Sequence, residues 1–204
     1  MKLVVFGGSF DPVHEGHVAM ANAIQEHQSP DLLLWVPSYH APHKTERPPA
    51  AADWRLTMLD SIVQHRVGEE VCRLEIEREG LSFTVDTLRQ LERQYGVAHP
   101  TLLLGADSLQ HLLTWRDVPE LFDRVRFVFV PRPGWGAEQL DHFRSELSAE
   151  LFQNFRAEFL AMQEVAVSST EIREALAIGT MPAALAPSVR DFIRTHGCYG
   201  FTKA

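Results

Sequence analysis

At 204 residues with 45% hydrophobic content, the chain has enough material for a substantial core, which excludes a disordered polymer and fits one compact α/β domain over residues 1–204. Nineteen basic residues against twenty-seven acidic ones give a formal charge of −8, the wrong sign for a protein that holds nucleic acid by neutralising phosphates, so any cationic site is local. Cys72 and Cys198 are too few for a disulfide scaffold or a zinc framework, and the apolar runs are too short to span a bilayer; with core strand rather than a signal peptide at the N-terminus, the expected address is a reducing cytoplasm.

Leu3 to Phe6 is an apolar run stopped by Gly7-Gly8, as expected of a buried parallel strand meeting a tight turn. Ser9-Phe10-Asp11-Pro12 follows, then His14 and His17 at the head of a helix expected over 17–27 that buries Met20, Ala21 and Ile24. The glycines leave room for a ligand against the main chain, and a helix start aims its N–H groups at an anion. Three readings of the histidine pair compete: a metal-ligating pair, two surface histidines, or imidazoles that hydrogen-bond the phosphates of a nucleotide and stabilise charge developing during transfer. The spacing is not H-E-x-x-H and no third ligand is evident, while the strand and Gly-Gly turn favour phosphate.

Leu32 to Val36 is a second strand, completing a βαβ unit that implies parallel pairing, a right-handed crossover and a ligand site beyond the strands' C-terminal ends. The loop PSYHAPHKTERPP carries His40, His43, Lys44 and Arg47; for His40 and Arg47 a solvated connector is an equal reading. Asp53 is expected to cap a helix that buries Leu56, Leu59, Ile62 and Val63, with Arg55 and Met58 structural. Cys72 to Glu77 alternates apolar and charged residues, which predicts a strand with one wet face near a sheet edge. Thr84 reads as a cap of a helix that packs Val85, Leu88, Leu91 and Tyr95.

Thr101 to Leu104 is the fourth strand and runs into Gly105-Ala106-Asp107-Ser108, where Asp107 can cap the next helix. That helix packs Leu109, Leu112 and Leu113 and leaves Trp115 at its end, a core residue by burial habit. Val125 to Val130 is a central strand broken by Pro131-Arg132-Pro133-Gly134. Residues 137 to 162 read as helical, Val165 and Val167 as a last short strand, and Ser188 to His196 as a final helix. Between the last two, Ser168-Ser169-Thr170 opens a helix carrying Arg173: simple caps, or a second anion site.

The residues by themselves thus give a nucleotide-binding α/β domain with two cationic helix N-termini. GGSFDPVHEGH resembles the opening motif of the nucleotidyltransferase superfamily, with its H/T-x-G-H signature, and the fold that this resemblance implies is a Rossmann-like doubly wound parallel sheet with flanking helices. In the family's order, PHK, the T-x-D-T-L helix start, GADSLQHLLTW, RPG and VSSTEIR are similar to the motifs of nicotinate-nucleotide adenylyltransferases, over nearly the whole chain. Two positions depart from that pattern: Ala41 stands where proline is usual, and Arg116 follows Trp115 where many members have tyrosine.

The resemblance implies transfer of AMP from ATP to nicotinate mononucleotide, giving deamido-NAD and pyrophosphate by direct displacement without a protein nucleophile. The alternatives are a sister adenylyltransferase acting on nicotinamide mononucleotide or phosphopantetheine, and a non-catalytic nucleotide sensor. It also implies that His14, His17, Lys44 and Arg173 are catalytic and hold the triphosphate, with Mg²⁺ arriving on the ATP phosphates rather than in a protein metal site. ATP would further meet Gly7, Gly8, Ser9, Phe10, Gly105, Asp107, Ser168, Ser169 and Thr170. Nicotinate mononucleotide would meet His43, Thr84, Val85, Trp115 (its indole stacked on the nicotinate ring) and Arg116. Neither nucleic acid nor a membrane is an expected partner.

Overall fold

The computed structural model describes residues 1–42 and 48–202. His43, Lys44 and Arg47 lie outside the described residues. Strands β1 (Leu3–Gly8), β2 (Leu32–Pro37), β3 (Glu69–Val71), β4 (Thr101–Gly105), β5 (Arg126–Val130) and β6 (Ala157–Phe159) pair in parallel in the order β3-β2-β1-β4-β5-β6. The chain starts in the middle, winds outward to β3, then crosses back to β4 on the other side of β1. Such a reversal opens a crevice at the strands' C-terminal ends, here between Gly7-Gly8 of β1 and Gly105 of β4.

The alternation of side chains along each strand builds two cores. Val4, Phe6, Leu33, Trp35, Leu103 and Val128 face one side, against α1 (Glu15–Gln28), α2 (Ala52–Val63), α9 (Ser169–Ala177) and α10 (Pro187–His196). Val5, Leu34, Leu102, Leu104, Phe127 and Phe129 face the other, against α4 (Thr84–Tyr95), α5 (Leu109–Leu112), α6 (Val118–Arg124) and α7 (Ala137–Glu146). Strands buried on both faces explain the continuous apolar runs of β1, β2 and β5. No helix among the described residues is long and apolar enough to cross a membrane.

Four local expectations are corrected. Cys72 to Glu77 is not a strand: β3 stops at Val71, and Leu74–Arg78 forms the short helix α3. Glu75, not Leu74 or Ile76, is the buried residue, because its carboxylate accepts a hydrogen bond from the Thr87 hydroxyl at 2.5 Å. The strand that does form just before it, β3, lies at the sheet edge, since it ends the strand order. Residues 137 to 162 break into α7, α8 (Ala149–Asn154, capped by Ser148) and β6. Pairing of Phe127 with Ala157 and of Phe129 with Phe159 makes β6, a long-range contact that no local periodicity encodes.

Val165 to Val167 is not a strand: the Val167 N–H donates to the Val165 carbonyl at 2.8 Å, a tight turn outside the sheet. Asp53 does not cap α2: Ala51 holds that position, and Asp53 lies in the first turn, where its charge favours the helix N-terminus.

Candidate active site

The phosphate-loop expectation becomes concrete at the head of α1. His14 is the N-cap, and its Nδ1 accepts the Gly16 N–H at 3.1 Å; His17, three residues on, accepts the His14 N–H on its own Nδ1 at 3.2 Å. The two imidazoles thus form a reciprocal capping box, with ring centroids 3.8 Å apart. Because both Nδ1 atoms accept from backbone, the neutral rings carry their protons on Nε2, so each is a donor at its outer nitrogen. Burial, reinforced by the Arg132 guanidinium, pushes the His14 pKa down to about 3 from an ordinary 6.5. His14 is therefore neutral at physiological pH and acts as a dipolar donor rather than a cation.

Phe10 sets the second ring. It is fully buried at φ 46°, edge-on to Phe6 at 5.3 Å and to His17 at 5.0 Å, so its side chain packs and only its main chain can face a ligand. A Cβ on Gly16 would come within 3.0 Å of the His14 ring and of Val167, which reserves that place for glycine.

The second helix start meets the first. Ser168 caps α9 in a capping box with Glu171, so that hydroxyl is structural, while Ser169 Oγ donates to the Pro12 carbonyl at 3.1 Å and fastens α9 to the loop. One turn in, Arg173 donates through Nη1 to the Asp11 carbonyl at 2.7 Å and through Nη2 to Thr170 Oγ1 at 3.1 Å. Its Nε is buried without a hydrogen-bond partner among the described residues. A guanidinium half satisfied in this way retains donor capacity for an anion.

From the far side of β1, Gly105 ends β4 and admits Arg132: a Cβ there would lie 2.5 Å from Asp107 Oδ1 and 2.9 Å from Arg132 Cγ. Arg132 Nε stands 4.0 Å from the Asp107 carboxylate, and its charge reaches His14. Asp107 caps no helix, contrary to that reading. The structure therefore brings His14, His17, Gly7, Gly8, Gly105, Asp107, Arg173 and the α9 start to one edge of the sheet. Arg132, Asp11, Arg55 and Tyr199 belong to the same assembly but were not among the expected site residues. For Arg132 the signal was its place in a Pro/Gly turn directly after a central strand.

The elements expected to hold the mononucleotide lie on the opposite face. Thr84 is the first residue of α4, not its cap; the N-cap is Phe83, which makes no side-chain cap, so the helix start presents its backbone N–H groups. Val85 is buried and can contribute only main chain there. Trp115 follows α5 and is partly buried against that core. Arg116 is half exposed, lies 4.8 Å over the Phe83 ring and pairs with Asp86 at 3.3 Å and Asp117 at 3.8 Å. Its charge is thus shared before any ligand arrives.

A groove of about 810 Å³ opens at the other end of the sheet, lined by Lys2, His27, His99, Arg126 and Arg156. Lys2 there donates to the Gln28 carbonyl at the end of α1, which is the ordinary answer of a basic residue to a helix C-terminus.

Comparison with known proteins places the chain in a family. The model of the cytidylyltransferase-like family matches residues 5–175. A Gloeobacter violaceus protein named probable nicotinate-nucleotide adenylyltransferase is 38% identical over 202 residues, covering 97% of this chain and 96% of its own. A Thermus thermophilus protein of the same name is 35% identical over 200 residues, covering 98% and 100%. Among solved structures, the Plasmodium falciparum nicotinic acid mononucleotide adenylyltransferase complexed with NaAD superposes with a TM-score of 0.79 at 17% identity, covering 98% of both chains, a likeness of fold. With the motifs in order along the sequence and the relatives matched over nearly their whole length, the chain belongs to the nicotinate-nucleotide adenylyltransferases of the cytidylyltransferase-like family.

Proposed function

We propose that this protein transfers AMP from ATP to nicotinate mononucleotide, releasing pyrophosphate and forming deamido-NAD. The observation that carries the reading is the pair of imidazoles locked by backbone N–H groups into the Nε2–H form, beside Arg173 at the start of α9. In the proposed step the mononucleotide phosphate attacks the α-phosphorus of ATP in line, the bond to the β-phosphate oxygen breaks, and pyrophosphate leaves. No protein nucleophile takes part. His14 and His17 donate to the transferring phosphate, and Arg173 holds the leaving oxygens. Lys44, outside the described residues, is proposed to add a point positive charge, and His43 to contact the mononucleotide.

Mg²⁺ is proposed to enter on the triphosphate. Asp11 is engaged by the Ala50 N–H and the Tyr199 hydroxyl, whereas Asp107 is half exposed at the Gly105 turn; among the described residues no three His, Cys, Asp or Glu side chains gather as a cage. Bound to the phosphates, the ion would share their negative charge. Both cysteines are free thiols, in keeping with a reducing cytoplasm.

The test is pyrophosphate release on mixing the protein and ATP with nicotinate mononucleotide, nicotinamide mononucleotide or phosphopantetheine separately. Efficient turnover with the first supports the proposal. Preference for another acceptor, or ATP binding without turnover, overturns it in favour of a sister enzyme or a sensor.

Acceptor choice is assigned to the open N-terminus of α4, assisted by Arg116. Because Asp86 and Asp117 already share its charge, Arg116→Ala should narrow the preference for nicotinate over nicotinamide mononucleotide by about threefold to tenfold, less than a fully committed charged hydrogen bond would give. The ratio of the two kcat/KM values measures this. An unchanged ratio would leave the choice to the backbone amides alone.

A further inference from the structure

The last turn of the chain reaches back to the phosphate loop. After α10, Gly197, Tyr199 and Gly200 all have positive φ, with Tyr199 at 60°. That conformation costs a tyrosine energy that a glycine would not spend, so something at this position needs the side chain. The phenol runs inward and donates to Asp11 Oδ1 at 3.0 Å. The same carboxylate accepts the Ala50 N–H at 3.2 Å, and its other oxygen lies 3.7 Å from Arg173 Nη1. Beside it the buried Arg55 donates to the carbonyls of Ser9 at 2.9 Å, Ser38 at 2.7 Å and Ala50 at 2.9 Å. Ser38 and Ala50 flank the loop that carries Lys44, so one buried cluster ties both sides of that loop to the phosphate loop.

We infer that Tyr199 is a positioning residue for ATP: its hydroxyl orients the Asp11 carboxylate, which in turn fixes the main chain of residues 9–12 and the Arg173 guanidinium that faces the phosphates. Burial and the neighbouring carboxylate raise the phenol pKa, so the group stays an O–H donor throughout the working range. Without it Asp11 keeps, among the described residues, the Ala50 N–H and the charges of Arg173 and Arg55, and the guanidinium of Arg173 loses the fixed geometry on which bidentate anion binding depends.

This inference rests on the adenylyl-transfer reading, and the experiment keeps the two apart. ATP binding by wild type, Tyr199→Phe and Asp11→Asn is measured calorimetrically without acceptor, then KM and kcat for both substrates are measured by pyrophosphate release. Removing one buried hydrogen bond to a charged group should weaken ATP binding about tenfold and raise its KM similarly, while KM for nicotinate mononucleotide stays near wild type because α4 and α5 lie across the sheet. Asp11→Asn, which keeps the acceptor but loses the charge facing Arg173, should show the same pattern. Combining Tyr199→Phe with Arg173→Lys should cost less than the sum of the two changes. A variant that melts earlier yet binds ATP as wild type does, or strict additivity with Arg173→Lys, overturns the inference. Wild-type protein that binds ATP but releases no pyrophosphate instead overturns the proposed function and leaves the binding comparison intact.

Discussion

Replacing His17 by alanine should lower kcat by about 10² to 10³-fold, the loss seen when a single preorganised donor to a developing charge is removed, while ATP affinity changes only a few-fold. The asymmetry follows from where the ring points. Its Nδ1 is held by the His14 N–H, and Phe10 packs edge-on against its face, so Nε2 is fixed before substrate arrives and its donor has most to gain when charge builds on the α-phosphate. The alanine also removes one reciprocal cap from α1, worth about 1 kcal/mol of stability, so the assay belongs well below the variant's melting temperature. Calorimetry with ATP and steady-state pyrophosphate release together decide the matter: unchanged turnover would remove His17 from the transition-state machinery.

His14→Asn should separate folding from catalysis. Asparagine is a strong N-cap and its Oδ1 can accept the Gly16 N–H that Nδ1 now accepts, but it cannot reproduce the Nε2 donor. Turnover should fall by about 10²-fold in a folded protein. The same variant should alter acid stability. In the folded chain His14 titrates at about 3, against 6.5 when unperturbed, so between those values the unfolded chain binds a proton that the folded chain refuses. This contribution to stability is therefore complete above pH 6.5 and shrinks as pH falls towards 3, by about 1.4 kcal/mol per pH unit. Denaturation curves of wild type and His14→Asn from pH 7 to pH 4.5 should converge by that slope. Parallel curves would mean that His14 is protonated in the fold.

How much of this could be read from residues depends on whether the cause was local. The apolar runs of β1, β2, β4 and β5, each ending at Gly or Pro, carried the strand assignments, and the His14–His17 pair and the Ser168-Ser169-Thr170 hydroxyls marked both helix starts, the first placed two residues late because His14 rather than a residue next to His17 is the cap. The failures share a remote cause. β6 exists because β5 offers an edge thirty residues upstream, Glu75 turns inward because Thr87 from the next helix meets it, and Tyr199 matters because Asp11 lies 188 residues away in the chain. Arg55 shows the limit from the other side. Its structural role can be read from the sequence, but the cause cannot: the carbonyls of Ser9 in the phosphate loop and of Ser38 and Ala50 on either side of the next loop close around its guanidinium.

The sheet stands between two jobs. Under the proposed function the nucleotide donor is handled by α1 and α9 on one face, and the acceptor by α4 and α5 on the other, with contact only along the edge where β1 and β4 part. Each layer has its own apolar core, so side chains around α4 and α5 can be exchanged without disturbing the packing that aims His14, His17 and Arg173. A lineage built this way can change the molecule that receives AMP while inheriting, unaltered, the apparatus that delivers it.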